Sequence, residues 1–170
     1  DIEFVLSHSA HVNKLDTKIN KEISLAVPGS KSISNRALVM AALGKGECRL
    51  KGLLQSDDVQ VMLDALQSMM SIEYNWLNDG EILVIQGAQG KCKLTTDEIY
   101  LGNAGTAARF LTSVCSLVDS SNNDSNDVAI KNGTTATIIT GNARMKERPI
   151  GPLVDALTSN GVNIKYLGKE

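Results

Sequence analysis

Apolar and polar positions along this chain follow the periods of helices and strands in a mixed α/β protein. A first helix is predicted from about Ser32 to Leu43, and two glycines directly after it are expected to stop it. The clearest helical stripe lies in SDDVQVMLDALQSMM, residues 56–70, with Ser56 placed to cap the helix. The methionines of this stripe are interpreted as core residues.

Two further helices are predicted later in the chain. The first lies within residues 102–118 and becomes helical near Thr106. The second is expected to carry Pro149 in its first turn and to end near Asn160 and Gly161. The polar, low-complexity residues 119–127 are predicted to form a surface loop.

Strands are predicted where short apolar runs are bounded by turn residues. Residues 71–77 and 81–87 flank Asn78-Asp79-Gly80 and are predicted to pair as an antiparallel hairpin. The other predicted strands are residues 22–27, 128–131, 134–140 and 162–166.

An internal repeat links residues 63–74 and 154–166, which share an apolar-Asp-Ala-Leu core and a strand that ends in tyrosine. The order helix, strand, helix, two strands is therefore predicted to occur twice, in units of about 70 to 90 residues. Chance similarity between two amphipathic helices is the alternative explanation.

Composition narrows the possible functions of the 170 residues. Seventeen basic and nineteen acidic residues leave a net charge of −2, which favours neither nucleic acid nor an anionic membrane as a partner. Three cysteines without a C-x-x-C spacing indicate neither a disulfide framework nor a zinc site, and they favour a reducing compartment such as the cytosol. No apolar run is long enough to span a membrane, and the Asp-Ile-Glu start is expected to be cut from a longer polypeptide.

The segment PGSKSISNRAL, residues 28–38, combines a turn, serines and two cations at a helix start. Ser32 and Arg36 are four residues apart and therefore share one helix face, while Ser30 or Ser32 can cap. Free backbone N–H groups and the helix dipole point to the same region as Lys31 and Arg36. A carboxylate or phosphate fits there, although a capped, solvated helix end is the alternative.

Two other strand-to-helix turns repeat this chemistry. In LGNAGTAAR, residues 101–109, the glycines permit close backbone approach, and Asn103 and Thr106 offer hydrogen bonds; the segment is neither a Walker loop nor a dinucleotide fingerprint. In NARMKERPIG, residues 142–151, two arginines and a lysine can grip phosphate, although a solvated charge run is the usual explanation. Since each turn carries an arginine, the three are predicted to converge on one anion site. His8 and His11 have no partners at catalytic or metal-binding spacing and are expected to be exposed to solvent.

From about Ile23 onward the chain closely resembles 5-enolpyruvylshikimate-3-phosphate (EPSP) synthase, or 3-phosphoshikimate 1-carboxyvinyltransferase. Four collinear segments carry the resemblance: PGSKSISNRAL, LLQSDDVQVMLDAL, LGNAGTAARFL and GNARMKERPIGPLVDAL. Arg109-Phe110, where bacterial and plant enzymes usually have Arg-Pro, and the long 119–137 insertion resemble the fungal version. That version is one domain of the pentafunctional AROM polypeptide.

The resemblance implies a fold of two similar domains, each with three βαβαββ units, known as an inside-out α/β barrel. Residues 1–26 would be crossover strands that belong to the other domain. Residues 27–170 would form about two of the three units of the substrate-binding domain, so that the fold is incomplete in this chain.

The resemblance also implies transfer of the enolpyruvyl group of phosphoenolpyruvate to the 5-hydroxyl of shikimate 3-phosphate, with release of phosphate. Lys31 would touch both substrates and act in catalysis, and Ser32 and Arg36 would bind shikimate 3-phosphate, chiefly at its carboxylate. The phosphoenolpyruvate side would consist of Asn103, Gly105, Thr106 and Arg144. No metal or organic cofactor is implied, and the protein is expected in the cytoplasm without nucleic-acid or membrane partners.

The family's Ser-Ser-Gln motif and its catalytic Asp and Glu match no segment of this chain. The remaining part of the same polypeptide is therefore expected to complete the site, and this piece alone is expected to be inactive. UDP-N-acetylglucosamine enolpyruvyl transferase is a rival family, but Lys31-Ser32 and the cysteine-free residues 142–151 argue against it. An anion-binding or structural remnant of the fold is the non-enzymatic alternative.

Overall fold

The computed structural model of the chain describes residues 27–92, 98–117 and 137–167. These residues form a mixed α/β structure, as predicted. In chain order its elements are α1 (Lys31–Leu43), β1 (Lys45–Lys51), α2 (Asp57–Met70), β2 (Glu73–Leu77), β3 (Ile82–Ala88), β4 (Glu98–Tyr100), α3 (Gly105–Cys115), β5 (Ile138–Thr140), α4 (Ala143–Lys146) and α5 (Gly151–Ser159).

The first half of the described chain is a three-stranded antiparallel sheet, in the order β1-β3-β2, with helices packed against it. The predicted hairpin is confirmed: β2 pairs with β3, and Trp76 lies opposite Leu83. Its turn has positive φ at Asn78, Asp79 and Gly80, residue types that tolerate this conformation.

The predicted repeat order includes a strand between α1 and α2, but the residues of β1 were not located from the sequence, because KGECRLK contains only two apolar residues. It lies at the edge of the sheet and pairs along its whole length with β3. Its charged residues are exposed and alternate with the half-buried Cys48 and Leu50. Charged side chains are typical of edge strands, where they oppose aggregation.

The second half of the described chain contains a parallel pair, β4 with β5, in which Tyr100 lies opposite Thr140. Helix α3 falls between the two strands in sequence, as in a βαβ unit. It begins at Gly105, one residue before the position predicted from the sequence. Strand β5 confirms the end of the strand predicted at residues 134–140.

Two sequence predictions near the end of the described chain are wrong. Pro149 precedes helix α5 by two residues, and Pro152 takes the first-turn position instead. Residues 162–166 pair with no strand in the described part of the chain. The predicted end of α5 near Asn160 is confirmed.

The core lies between the inner face of the antiparallel sheet and helices α1, α2 and α3. The interpretation of the methionine stripe as core is confirmed, since Met62 and Met69 are fully buried. The first predicted repeat has the expected element order. The second has a helix, a strand and two helices, α4 and α5, and then continues without a described strand.

Three earlier predictions lie outside the described residues: the crossover segment at residues 1–26, the loop at 119–127 and the strand at 128–131. His8 and His11 lie outside them too. Among the described helices, none is both long and apolar enough to cross a membrane.

Candidate active site

The N-terminus of α1 presents free backbone amides to solvent. The first backbone hydrogen bond of the helix runs from Ser34 N to Ser30 O at 2.9 Å, so the amides of Lys31, Ser32 and Ile33 precede the helical ladder. Ser30 occupies the N-cap position, but its side chain makes no capping hydrogen bond. The predicted side-chain cap is therefore absent, and the amides remain available to an anion.

Close backbone packing holds this helix start against the loop between β1 and α2. A Cβ built on Gly29 would collide with Gly52 O and lie 3.0 Å from Leu54 N. Leu54 N also donates a hydrogen bond of 3.0 Å to Ser34 Oγ. The predicted turn at Pro28-Gly29 thus requires glycine for its close approach to a neighbouring backbone.

Lys31 makes an ion pair with the second residue of α2. Its Nζ lies 2.7 Å from Asp58 Oδ2, and half of the lysine side chain remains exposed. In the sequence, Asp58 is distinguished only by its place in the first turn of a helix, where a carboxylate suits the positive end of the dipole. Asp58 orients the lysine and leaves part of the ammonium group open to solvent.

Arg36 connects α1 to α3. As predicted, it shares a helix face with Ser32, whose carbonyl oxygen accepts a 2.8 Å hydrogen bond from Arg36 Nη1. The guanidinium carbon lies 5.2 Å from the centroid of the Phe110 ring, within cation–π distance. Neither Phe110 nor this contact was predicted from the sequence; the only signal was the unusual Arg-Phe dipeptide.

The N-terminus of α3 also has free backbone amides. We call this helix start the α3 cradle, and the start of α1 described above the α1 cradle. Gly105 N donates to Asn103 O at 2.9 Å and Ala108 N to Ala104 O at 3.0 Å, which leaves the amides of Thr106 and Ala107 outside the helical ladder. The Oδ1 atom of Asn103 is buried without a hydrogen-bond partner. The glycine-rich turn therefore holds unused donors and an unused acceptor side by side.

Residues 142–151 pack against this helix start through two arginines. Arg109 Nη1 donates to Gly105 O at 3.2 Å, and its Nη2 donates to Pro149 O at 2.9 Å. A Cβ built on Gly105 would lie 3.2 Å from Arg148 Cζ and would collide with Arg148 Nη1. Gly105 is thus required for close approach, and the group that approaches it in this structure is Arg148.

Arg144, the arginine selected from the sequence in this segment, lies on the short helix α4. Asn142 caps this helix, accepting from Met145 N at 3.0 Å. The Arg144 side chain is exposed and makes no hydrogen bond or ion pair within the described residues. Of the two arginines, Arg148 is the one that the structure places beside Gly105.

The three segments selected from the sequence are therefore linked in pairs. Arg36 and Phe110 link α1 to α3, and Arg109 and Arg148 link α3 to residues 142–151. Cationic and amide donors suit polyanionic ligands.

The described cysteines do not favour nucleophilic catalysis by a thiolate. Burial raises the pKa of the Cys92 thiol, and burial together with the nearby Cys92 raises the pKa of the Cys115 thiol to about 11. Among residues 27–92, 98–117 and 137–167, no group of three acidic, histidine or cysteine side chains is placed to hold a metal ion.

Comparison with known proteins shows to which family the chain belongs. A family profile described as EPSP synthase (3-phosphoshikimate 1-carboxyvinyltransferase) matches residues 15–170. The chain belongs to the EPSP synthase family. It is 50% identical over all 170 residues to the pentafunctional AROM polypeptide of Schizosaccharomyces pombe. The rival sister family named above is thereby disfavoured.

Solved structures confirm the predicted fold of repeated βαβαββ units. Two structures of EPSP synthase from Acinetobacter baumannii match the chain, one with a TM-score of 0.66 at 23% identity and one with 0.63 at 24%. They cover 86% and 81% of this chain, which in turn spans 30% and 27% of theirs. Because the chain spans less than a third of these EPSP synthase chains, the fold is incomplete here. The chain spans 10% of the S. pombe AROM polypeptide.

Proposed function

We propose that this chain forms part of an enzyme that transfers the enolpyruvyl group of phosphoenolpyruvate to the 5-hydroxyl of shikimate 3-phosphate, releasing inorganic phosphate. The observation that carries the proposal is the pair of helix starts, α1 and α3, linked by Arg36 and Phe110 and each with amides outside its helical ladder. Both substrates are polyanions, so preorganised donors of this kind stabilise their bound charge.

The α1 cradle is the shikimate 3-phosphate side. Arg36 pairs with the substrate carboxylate, for which its fork of N–H donors is suited, and Ser32 contributes a hydroxyl and an amide. Lys31 lies at the same helix start, oriented by Asp58, and reaches both substrates. Its ammonium group stabilises the charge that develops during transfer.

The α3 cradle is the phosphoenolpyruvate side. The backbone amide of Thr106 and the side-chain Nδ2 of Asn103 donate hydrogen bonds to the anionic ligand, and Gly105 permits close approach. Arg144 binds the phosphate, as the family resemblance implies. Arg148 joins this set, because its guanidinium already lies beside Gly105.

The groups that move protons come from the remaining part of the polypeptide, which this chain needs to turn over. Residues 1–26 belong to the crossover strands of the other domain. The complete enzyme works in the cytoplasm in aromatic amino acid biosynthesis, and it is inhibited by glyphosate, which resembles phosphoenolpyruvate in charge.

The proposal is tested with Arg36→Ala in the complete enzyme. Loss of a charged hydrogen bond to the substrate carboxylate is expected to weaken shikimate 3-phosphate binding by about 2 kcal/mol or more, a roughly 30-fold rise in Kd. Titration calorimetry measures the Kd, and a phosphate-release assay measures turnover with both substrates.

Arg49→Ala is the matched control, since Arg49 is an exposed arginine on β1 that pairs with Glu47 at 2.9 Å, away from the helix starts. It is expected to leave the Kd unchanged. A wild-type enzyme that releases no phosphate contradicts the proposed reaction, and retained binding without turnover favours the anion-binding alternative. Equal Kd values for wild type and Arg36→Ala remove Arg36 from the site.

A further inference from the structure

The aromatic ring of Phe110 holds the guanidinium of Arg36 from outside its own helix. Arg36 extends from the second turn of α1, and its guanidinium carbon lies 5.2 Å from the centroid of the Phe110 ring on α3. On the α1 side, Arg36 Nη1 donates to Ser32 O at 2.8 Å. The guanidinium is therefore held at two points on two different helices.

The charge of Arg36 remains available to a ligand despite these contacts. Arg36 makes no ion pair within the described residues, whereas Lys31 at the same helix start is paired with Asp58. The Phe110 ring attracts the cation without neutralising it. A long side chain held in this way loses less conformational entropy when it binds a carboxylate, which favours affinity.

The position of Phe110 on α3 separates its action from the phosphoenolpyruvate cradle. The preceding residue, Arg109, points to residues 142–151 and donates to Pro149 O at 2.9 Å. Phe110 points instead to α1. Successive residues of this helix turn thus serve the two sides of the site separately.

We propose that Phe110 is a positioning residue that fixes the guanidinium of Arg36 for the carboxylate of shikimate 3-phosphate, and so sets affinity for that substrate. The inference rests on the proposed function. It gives Phe110, which lies outside the substrate cradles, a specific effect on the binding of shikimate 3-phosphate.

The test compares Phe110→Leu with Phe110→Tyr in the complete enzyme. Both replacements fill a similar volume, but only tyrosine retains an aromatic face. Loss of the cation–π contact is expected to raise the Kd for shikimate 3-phosphate by roughly two- to fivefold in Phe110→Leu, and Phe110→Tyr is expected to stay near the wild-type value. The Kd is measured by titration calorimetry without phosphoenolpyruvate, and the KM of each substrate and kcat are measured in turnover. The KM for phosphoenolpyruvate is expected to remain constant.

A double-mutant cycle shows whether the effect passes through Arg36. In an Arg36→Ala background, Phe110→Leu is expected to cause no additional change in the Kd. Phe110→Met provides a second aliphatic replacement if Phe110→Leu fails to fold, which melting curves reveal.

Three results overturn the inference while leaving the proposed function intact. They are an unchanged Kd in a folded Phe110→Leu enzyme, equal effects of leucine and tyrosine, and an undiminished effect of Phe110→Leu in the Arg36→Ala background. A wild-type enzyme that neither binds shikimate 3-phosphate nor turns over refutes the proposed function itself.

Discussion

At Gly105, the absence of a side chain decides how closely Arg148 packs against the start of α3. Gly105 is buried and begins the helix, and it does not have positive φ; Gly102, three residues earlier, has a φ of 54°. The requirement for glycine at position 105 is therefore steric. A methyl group there would occupy the place of the Arg148 guanidinium.

Gly105→Ala in the complete enzyme is expected to raise the inhibition constant of glyphosate by a larger factor than the KM of phosphoenolpyruvate. The added methyl displaces Arg148 and narrows the cradle, and glyphosate is the slightly longer ligand. Steady-state inhibition kinetics measure both constants, and binding of shikimate 3-phosphate is expected to change little.

A second substitution shows whether the methyl acts through the arginine. If it does, Gly105→Ala changes the KM of phosphoenolpyruvate much less in an Arg148→Ala background. Equal factors for glyphosate and phosphoenolpyruvate, accompanied by a lower melting temperature, would contradict close approach to the ligand as the role of Gly105.

At the scale of the element, helix α1 carries an unusual polar residue in its buried face. Asn35 is fully buried, and neither its Oδ1 nor its Nδ2 has a hydrogen-bond partner. On α1 it lies next to Arg36, which contacts α3, and one turn from Lys31, which contacts α2.

Asn35→Leu is expected to leave the stability of the complete enzyme unchanged or to increase it. An unpaired buried amide destabilises the folded state, and leucine, whose heavy atoms branch in the same way, removes that cost. Denaturant unfolding measures the change. Leu38→Ala, at a fully buried apolar position of the same helix, is the contrasting variant and is expected to cost about 2 to 5 kcal/mol. Marked destabilisation by Asn35→Leu would show that the amide has a partner elsewhere in the enzyme.

At the scale of the whole molecule, the chain contributes one side of the proposed anion site. Its cations and helix amides can bind charged groups, but the proposed reaction also needs a proton donor and acceptor. Of the described acidic residues, Asp58 forms an ion pair with a cation of these helix starts, Lys31. The chain spans less than a third of the solved EPSP synthase chains that it matches.

The isolated 170-residue chain is therefore expected to release no phosphate above background when both substrates are supplied. A colorimetric phosphate assay measures the release, and the complete enzyme serves as the positive control. Phosphate release by the isolated chain that disappears with Arg144→Ala would contradict this prediction and would place a complete catalytic set within these residues.

Much of the fold was predictable because local patterns and tertiary packing agree. The stripe of residues 56–70 forms α2, and Asn78-Asp79-Gly80 closes the predicted hairpin, since their periodicity and turn chemistry are local properties. The repeat order predicted a strand between α1 and α2, but the residues of β1 were not located, because pairing with β3, rather than apolar content, makes them a strand. Pro149 was assigned to the wrong turn because a short helix and a bend precede α5.

The sequence by itself determined the family, because four collinear motifs preserve residue types in order, and it determined which helix starts carry cations. Only the tertiary structure decided which side chains meet. The pairs Lys31 with Asp58, Arg36 with Phe110 and Gly105 with Arg148 join residues far apart in the chain. Such contacts depend on how helices pack, and side-chain packing across elements leaves no period or spacing in the sequence from which it can be predicted.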